Sequence, residues 1–419
     1  MKMQPNILVI TTHDTGRHFG CYGVNTVHSP AIDGLAALGV KCANYFTAVP
    51  ICCASRATMM TGRYPQSHGL MDLFFPPFGW EMKPGEQHLS QILRAAGYRT
   101  QLFGMQHETG QVDRLGFDKV WHAGWLPAPA VADSVAAFLE SQPAEPFYAQ
   151  VGFYETHSPY GDPDGSRGVF VPPQLVPNQP ARDLLAKIQG SVRQADAGVA
   201  TIIAALARTG LADNTILIFT VDHGMEIPRA KWFLYDAGIE IGLIVRWPNG
   251  GVTGGRQCDW LLSNVDFVPT LLDLAAVPIP GNIQGRSFAN GLRGVASPPP
   301  RQAIFGLYQK SESRCIRTDR YKLIRNFNYV RANWAQVPAD ISDPARNFPV
   351  WPVELYDLVV DPLEANNLAA APEFTDIRRD LSNQMWDWLE AVDDYILRGS
   401  PAANYYQPAI ADYRIRQQK

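Results

Sequence analysis

At 419 residues the chain is too long for one minimal core and suits a large α/β unit with a smaller companion. Its 36 lysines and arginines against 40 aspartates and glutamates give a net charge of −4, which leaves no basic footprint for nucleic acid. The 46% hydrophobic content is that of a soluble globular protein, and no apolar run approaches the roughly 20 residues that span a bilayer. Six cysteines (21, 42, 52, 53, 258 and 315) have neither CxxC spacing nor the density of a disulfide scaffold. Residues 1–6 run straight into a strand without a secretory leader, so a cytoplasmic protein with reduced thiols is expected.

Asn6–Thr11 is the first of four apolar runs of strand character that stop at a polar cluster containing histidine, here His13-Asp14. Residues 52–63 follow, reading Cys-Cys-Ala-Ser-Arg-Ala-Thr-Met-Met-Thr-Gly-Arg, and Ser55-Arg56 opens a helical run that stops at Gly62. A group just before a helix start faces unpaired backbone N–H groups and the positive dipole end, which favour a developing anion. Arg56 adds a cation one turn from Cys52, while Cys53 is expected to point away and pack. The plainer alternative is a small-residue turn into an Ala/Thr/Met helix with two buried thiols. Phe74–Trp80 is a stiff aromatic loop that suits a pocket wall, a subunit contact or core packing.

The second run, Arg99–Gly104, ends in Met105-Gln106-His107-Glu108, and the third, Phe147–Phe153, ends in Glu155-Thr156-His157. Pro159–Pro180 reads as a long ordered loop over the active face, with Asp162, Asp164 and Arg167 as substrate contacts or solvated charges. Residues 182–209 have helical periodicity, with Asp196 as a carboxylate of the packing layer. The fourth run, Thr215–Val221, ends in Asp222-His223-Gly224. If the four strands are parallel, one sheet edge collects His13, Asp14, His107, His157, Asp222 and His223, a crowd that calls for a cation.

Ala296–Pro300 is the clearest linker, which divides the chain into a catalytic α/β unit, residues 1–296, and a smaller α+β unit, residues 301–419. In the latter, residues 303–307, 313–318 and 321–327 suit a small antiparallel sheet, and residues 375–397 an amphipathic terminal helix. The tail, with Tyr405, Tyr406 and Tyr413, is expected to pack on the body or on a second copy in a homo-oligomer.

The 52–63 stretch resembles the signature of the type I, formylglycine-dependent sulfatases of the alkaline phosphatase superfamily. Residues 4–8, 20–23, 29–35, 263–272, 284–287, 317–324 and 354–357 match that family in order, nearest to its heparan N-sulfatase (sulfamidase) branch. The resemblance implies a large, mostly parallel mixed sheet between helices, and a nucleophile made when a maturation enzyme oxidises Cys52 to formylglycine. It places one divalent metal among Asp14, Asp222, His223 and the modified Cys52. His13 stands where the family usually has a second aspartate; two imidazoles shift the preference from calcium, the family default, towards manganese or zinc. Arg56 is similar to the arginine that steadies the hydrate, His107 to the histidine that takes its proton, and His157 to the one near the leaving oxygen. Lys231 is similar to the lysine that grips a sulfate oxygen. Met105 stands where the family has lysine, so a cation is lost beside the nucleophile unless Arg17, His18 or Arg229 replaces it.

The implied activity is hydrolysis of a sulfate ester or sulfamate, on a sugar or small organic molecule, by covalent catalysis. Two alternatives stand beside it: a phosphonate monoester hydrolase or phosphodiesterase of the same superfamily, and a silent binding relative. The covalent route predicts that Cys52→Ser, lacking the second hydroxyl, releases one equivalent of alcohol and then stops as a sulfated protein; sustained steady-state turnover by that variant would rule the route out.

Overall fold

The computed structural model describes residues 4–122, 124–328, 338–342, 351–399, 410, 413, 415 and 416. Eight strands form the main sheet: β1 (Asn6–Thr12), β2 (Val40–Phe46), β3 (Arg99–Gly104), β4 (Lys119–Val120), β5 (Phe147–Gly152), β6 (Thr215–Val221), β7 (Leu243–Arg246) and β8 (Arg256–Ser263). Their order is β4-β3-β5-β1-β6-β7-β2-β8. All neighbours run parallel except at β7, which is antiparallel to both β6 and β2. The four strands that end in histidine clusters are therefore consecutive and parallel, β3-β5-β1-β6, and deliver those clusters to one edge.

Strands β1, β5 and β6 are buried along their whole length, as their near-continuous apolar runs require of a sheet covered on both faces. The covering helices include Pro30–Leu38, Ala128–Glu140 and Gln179–Arg208, which contribute to the core formed with the strands. The last of these begins at Gln179, three residues before the periodicity alone suggests, because Asn178 caps it by accepting the Ala181 N–H at 3.0 Å. Asp196 on this helix accepts the N–H groups of Ala31 and Ile32 at 3.1 and 2.9 Å, satisfying the start of the Pro30–Leu38 helix.

A second, antiparallel sheet has the order β12-β11-β10-β9, from β9 (Ala303–Tyr308), β10 (Ser313–Thr318), β11 (Tyr321–Asn326) and β12 (Val353–Asp357). Helix Thr375–Ala391 packs on it through Leu381, Met385 and Leu389. The single helix expected over residues 375–397 stops at Ala391, and a separate 3-10 turn spans Tyr395–Arg398. Asp394 explains the break: fully buried with Arg314, it accepts that guanidinium at 2.6 and 3.0 Å and caps Ile396 N–H at 3.0 Å. Tyr413 lies 5.4 Å from the Trp386 ring, whereas Tyr405 and Tyr406 fall outside the described residues. One apolar cluster joins Phe46, Val49, Ile51 and Cys52 of the main unit to Leu307, Ile316 and Leu323 of the second sheet.

Among the described residues no helix is long and apolar enough to cross a membrane. All six cysteines are free, and Cys53 packs in an apolar cluster with Ala57 and Leu70.

His88 caps helix Leu89–Ala95, accepting the Ser90 N–H at 3.2 Å, and burial lowers its imidazole to about 3. It is neutral in the folded protein, while the unfolded chain takes up its proton near pH 6.5, so its stability contribution falls as pH drops from 6.5 towards 3. His88→Asn keeps a good cap without a titrating group; relative to the parent it should gain roughly 2–3 kcal/mol between pH 7.5 and pH 4.5 in denaturant titrations.

Candidate active site

Cys52 opens the helix Cys52–Thr61, every residue of which is buried. The helix ends at Gly62, whose φ of +66° lets its N–H close on the Thr58 carbonyl at 3.0 Å; a side chain there would strain this left-handed cap. Its first turn is held from below. Ser55 Oγ donates to the Asp222 carbonyl at 2.6 Å, and Asn264 Nδ2 donates to the Ser55 carbonyl at 3.1 Å.

Around Cys52 the four strand ends converge. Donor atoms of His13, Asp14, Cys52 and His223 all lie within 4.8 Å of one another, and all four residues are buried. His13 Nδ1 sits 2.7 Å from Asp14 Oδ1 and 3.3 Å from Asp222 Oδ2. His223 Nε2 lies 3.1 Å from Asp14 Oδ1 without an aligned hydrogen bond. Asp222 is the hub beside them: its Oδ1 accepts the N–H groups of Asp14 and His223 at 2.9 and 2.8 Å, and its Oδ2 accepts Arg56 Nε at 3.1 Å. Lys231 Nζ donates to Asp14 Oδ2 at 2.6 Å. Arg56 also donates to the Thr12 carbonyl at 3.2 Å, which ties the Cys52–Thr61 helix to the end of β1.

These contacts fix the charge states. Burial lowers His13 to about 4 despite the neighbouring carboxylates, so it is a neutral imidazole at pH 7. Burial opposes ionisation of Asp14, yet Lys231 and the imidazoles hold it well below the usual carboxylate range. Burial also opposes the Lys231 charge, and Asp14, with a smaller contribution from Glu226, more than restores it. The Cys52 thiol is pushed up by burial, against the pull of Lys231 and Arg56, so unmodified it is protonated and poorly nucleophilic. The neutral His13 imidazole, the ionised Asp14 carboxylate and buried ring nitrogens at His13 Nε2 and His223 Nε2 that lack a partner among the described residues form a donor set that fits a divalent metal.

His107, buried, and His157, half-buried, flank the His13 ring. The His157 ring is 4.7 Å from that of His13, and its Nδ1 donates to the Ser158 carbonyl at 2.6 Å, leaving Nε2 as the free tautomeric position. His107 lies between Phe74 and Phe75, at 5.6 and 5.9 Å, and Trp125 at 5.5 Å. The aromatic loop thus walls the site. Met105 is buried and uncharged, and none of the three candidates replaces its missing cation: two are engaged elsewhere and the third is neutral. Arg17 pairs with Glu240, Arg229 donates to the Glu364 carbonyl at 2.7 Å, and burial lowers His18 to about 4. Within the Pro159–Pro180 loop, Asp164 binds Ser166 and Arg193, so it serves the loop, while Asp162 and Arg167 are exposed.

Two residues of the site escaped the sequence reading. Trp125, 54% exposed, covers the His107 and His157 rings from a proline-flanked loop with no motif. Glu226 brings its carboxylate within 4.8 Å of Asp14 and His157, and its place between Asp222 and Lys231 was the available signal.

A mostly parallel sheet with acids, imidazoles and a helix-borne cysteine at its carboxyl edge defines a hydrolytic α/β enzyme of the alkaline phosphatase-like fold. The profile of the Sulfatase family matches residues 5–277, so the chain belongs to the sulfatase family of sulfuric ester hydrolases. Residues 228–391 match a second profile, N-sulphoglucosamine sulphohydrolase, C-terminal. An ulvan-active sulfatase of Formosa agariphila is 29% identical over 94% of this chain and 81% of its own. Human N-sulphoglucosamine sulphohydrolase is 25% identical over 93% of this chain and 91% of its own. A protein solved with its substrate D-glucosamine-2-N,6-O-disulfate superposes with a TM-score of 0.77 at 20% identity, covering 93% of this chain and 98% of that one.

Removing one partner of a buried ion pair leaves an uncompensated charge, at a cost of about 3–5 kcal/mol. Lys231→Met in chelator-treated protein should lose that much in denaturant titrations, and adding Asp14→Asn should recover part of it.

Proposed function

We propose that the protein is a metal-dependent sulfatase that hydrolyses a sulfate ester or sulfamate, on a sugar or small organic molecule, through formylglycine formed from Cys52. The observation that carries this reading is the convergence of Cys52 with His13, Asp14 and His223 within 4.8 Å at the start of a buried helix. The raised thiol supports it as well: a protonated Cys52 is a weak nucleophile, so this position needs a different reacting group.

Asp14, Asp222, His223, the modified Cys52 and His13 would hold the metal, which supplies a Lewis acid for the sulfate oxygens. Formylglycine, as its hydrate, supplies a hydroxyl to attack sulfur and a second one through which the aldehyde is regenerated. Arg56 keeps Asp222 ionised and in place through its 3.1 Å bond. Lys231, charged and fixed on Asp14, is the cation available to a sulfate oxygen. His157, with Nδ1–H committed to the Ser158 carbonyl, presents Nε2 to the departing oxygen or nitrogen; the proton it delivers there is the second one of the imidazolium form, which leaves the neutral Nδ1–H ring behind. His107, whose Nδ1 has no partner, accepts the proton from the second hydroxyl. In this reading residues 1–296 form the catalytic unit, residues 301–419 the smaller companion, and a separate maturation enzyme acts on Cys52.

Mass spectrometry of the tryptic peptide Cys42–Arg56 from the native host should give the mass of formylglycine at position 52, with about one divalent ion bound per chain. Turnover of an aryl sulfate should exceed that of a phosphodiester. An unmodified Cys52 in metal-bound protein without hydrolysis would point to a binding-only relative, and the reverse substrate order to a phosphonate or phosphodiester hydrolase.

A further inference from the structure

A cavity of about 320 Å³ lies between the Asp72–Phe78 loop, the Trp232–Tyr235 segment and the second sheet. That volume suits a small ring, since ligand pockets start at about 300 Å³. Two segments that line the cavity also carry or touch residues of the candidate site. The aromatic loop turns Phe74 and Phe75 to His107, while its Leu73 and Phe78 line the cavity. On the other side, Lys231 Nζ lies 5.5 Å from the centre of the Trp232 ring, and Trp232 lines the cavity. Trp232 holds a φ of +74°, a costly conformation for so large a residue, and its N–H is fixed on the Pro50 carbonyl at 2.9 Å.

The polar groups of this cavity are unequal. Along its floor Ser313 Oγ donates to Asn326 Oδ1 at 2.6 Å and Asn326 Nδ2 to Glu354 Oε1 at 2.7 Å. Glu354 Oε2 accepts the hydroxyls of Tyr235 and Tyr356 at 2.9 and 2.6 Å, so this network is closed. Asp72 is different. Only 5% exposed, it accepts one bond, from its neighbour Leu73 N–H at 2.9 Å, and has no ion pair among the described residues. Burial raises its carboxyl to about 6, so it is charged at neutral pH, with only the more distant Lys310 charge in its favour. A buried carboxylate with an unfilled acceptor oxygen is costly unless a ligand brings donors to it.

We propose that this cavity is the subsite for the organic half of the substrate: it takes a pyranose-sized ring that presents hydroxyl or ammonium donors to Asp72, and it rejects a ring that presents a carboxylate there. The inference rests on the sulfatase reading. The aromatic walls cover the apolar face of the ring, and an ammonium there gains a cation–π contact as well. Lys310 also lines the cavity but is exposed, whereas Asp72 is the charge buried in the wall, so a ring carboxylate placed on Asp72 meets a like charge at short range, which sets the selectivity.

Binding and turnover test the proposal separately. The Cys52→Ala protein is titrated calorimetrically with the 3-sulfates of D-glucose, D-glucosamine and D-glucuronate. The first two should bind at least tenfold more tightly than the third, and the stronger of them tells whether hydroxyl or ammonium is the preferred donor. Asp72→Asn on the same background should weaken the first two at least tenfold and narrow their lead over glucuronate. In the formylglycine-bearing holoenzyme, Asp72→Asn should lower kcat/KM on the preferred sugar sulfate at least tenfold more than on 4-nitrophenyl sulfate. The variant should also unfold at a higher temperature at pH 8, because the raised carboxyl disfavours the folded state once it ionises above about pH 6. Equal binding of all three sugars, binding of none, an unselective effect of Asp72→Asn, or its destabilisation at pH 8 would overturn the proposal. Failure of the wild-type holoenzyme to cleave 4-nitrophenyl sulfate would overturn the sulfatase reading alone, since sugar binding by the Cys52→Ala protein decides the cavity.

Discussion

Two carboxylates and two cations, all almost fully buried, meet at the edge of the sheet, and nothing in a dry interior tolerates them except one another. Asp14, Asp222, Arg56 and Lys231 are each at most 3% exposed. Every link in the set joins a different part of the chain: Arg56 brings the Cys52–Thr61 helix to β6, Lys231 brings the loop after β6 to the end of β1, and Asp222 takes the N–H of Asp14. Burial of any one of these charges alone would cost several kcal/mol, so the edge folds as a set or not at all. The apolar strands beneath provide the burial that makes the constraint strict.

The second sheet belongs to the same logic. Lys322 on β11 is fully buried against Asp236 and Glu364, and donates to the Leu234 carbonyl at 3.0 Å. Arg317 on β10 pairs with Asp236 at 3.1 Å. Both hold the Trp232–Asp236 segment, which follows directly on Lys231. Substitutions on β10 or β11 can therefore alter the cleft without touching a substrate.

Much of this was legible in the sequence, and the reason is periodicity. Runs such as Thr215–Val221 are nearly continuous in apolar residues and buried throughout, as doubly covered parallel strands must be, and each is followed by a polar cluster that contains histidine. The extent of the terminal helix was not legible, because the pair Arg314–Asp394 joins residues 80 apart and overrides the helical pattern at Ala391. Strand β12 was visible only as a family likeness, since Val353–Asp357 is short and takes its register from β11. Trp125, Glu226 and Asp72 sit in loops, where placement depends on the whole fold and no local pattern speaks for them.

Cys52 is only 3% exposed and lies in the apolar cluster completed by Leu307, Ile316 and Leu323. Those residues leave the ribosome long after Cys52 does. Until they arrive, the helix that Cys52 opens lacks part of the apolar cover it has in the folded chain. Any enzyme that must act on the thiol is thus working against a clock set by synthesis of the last third of the chain.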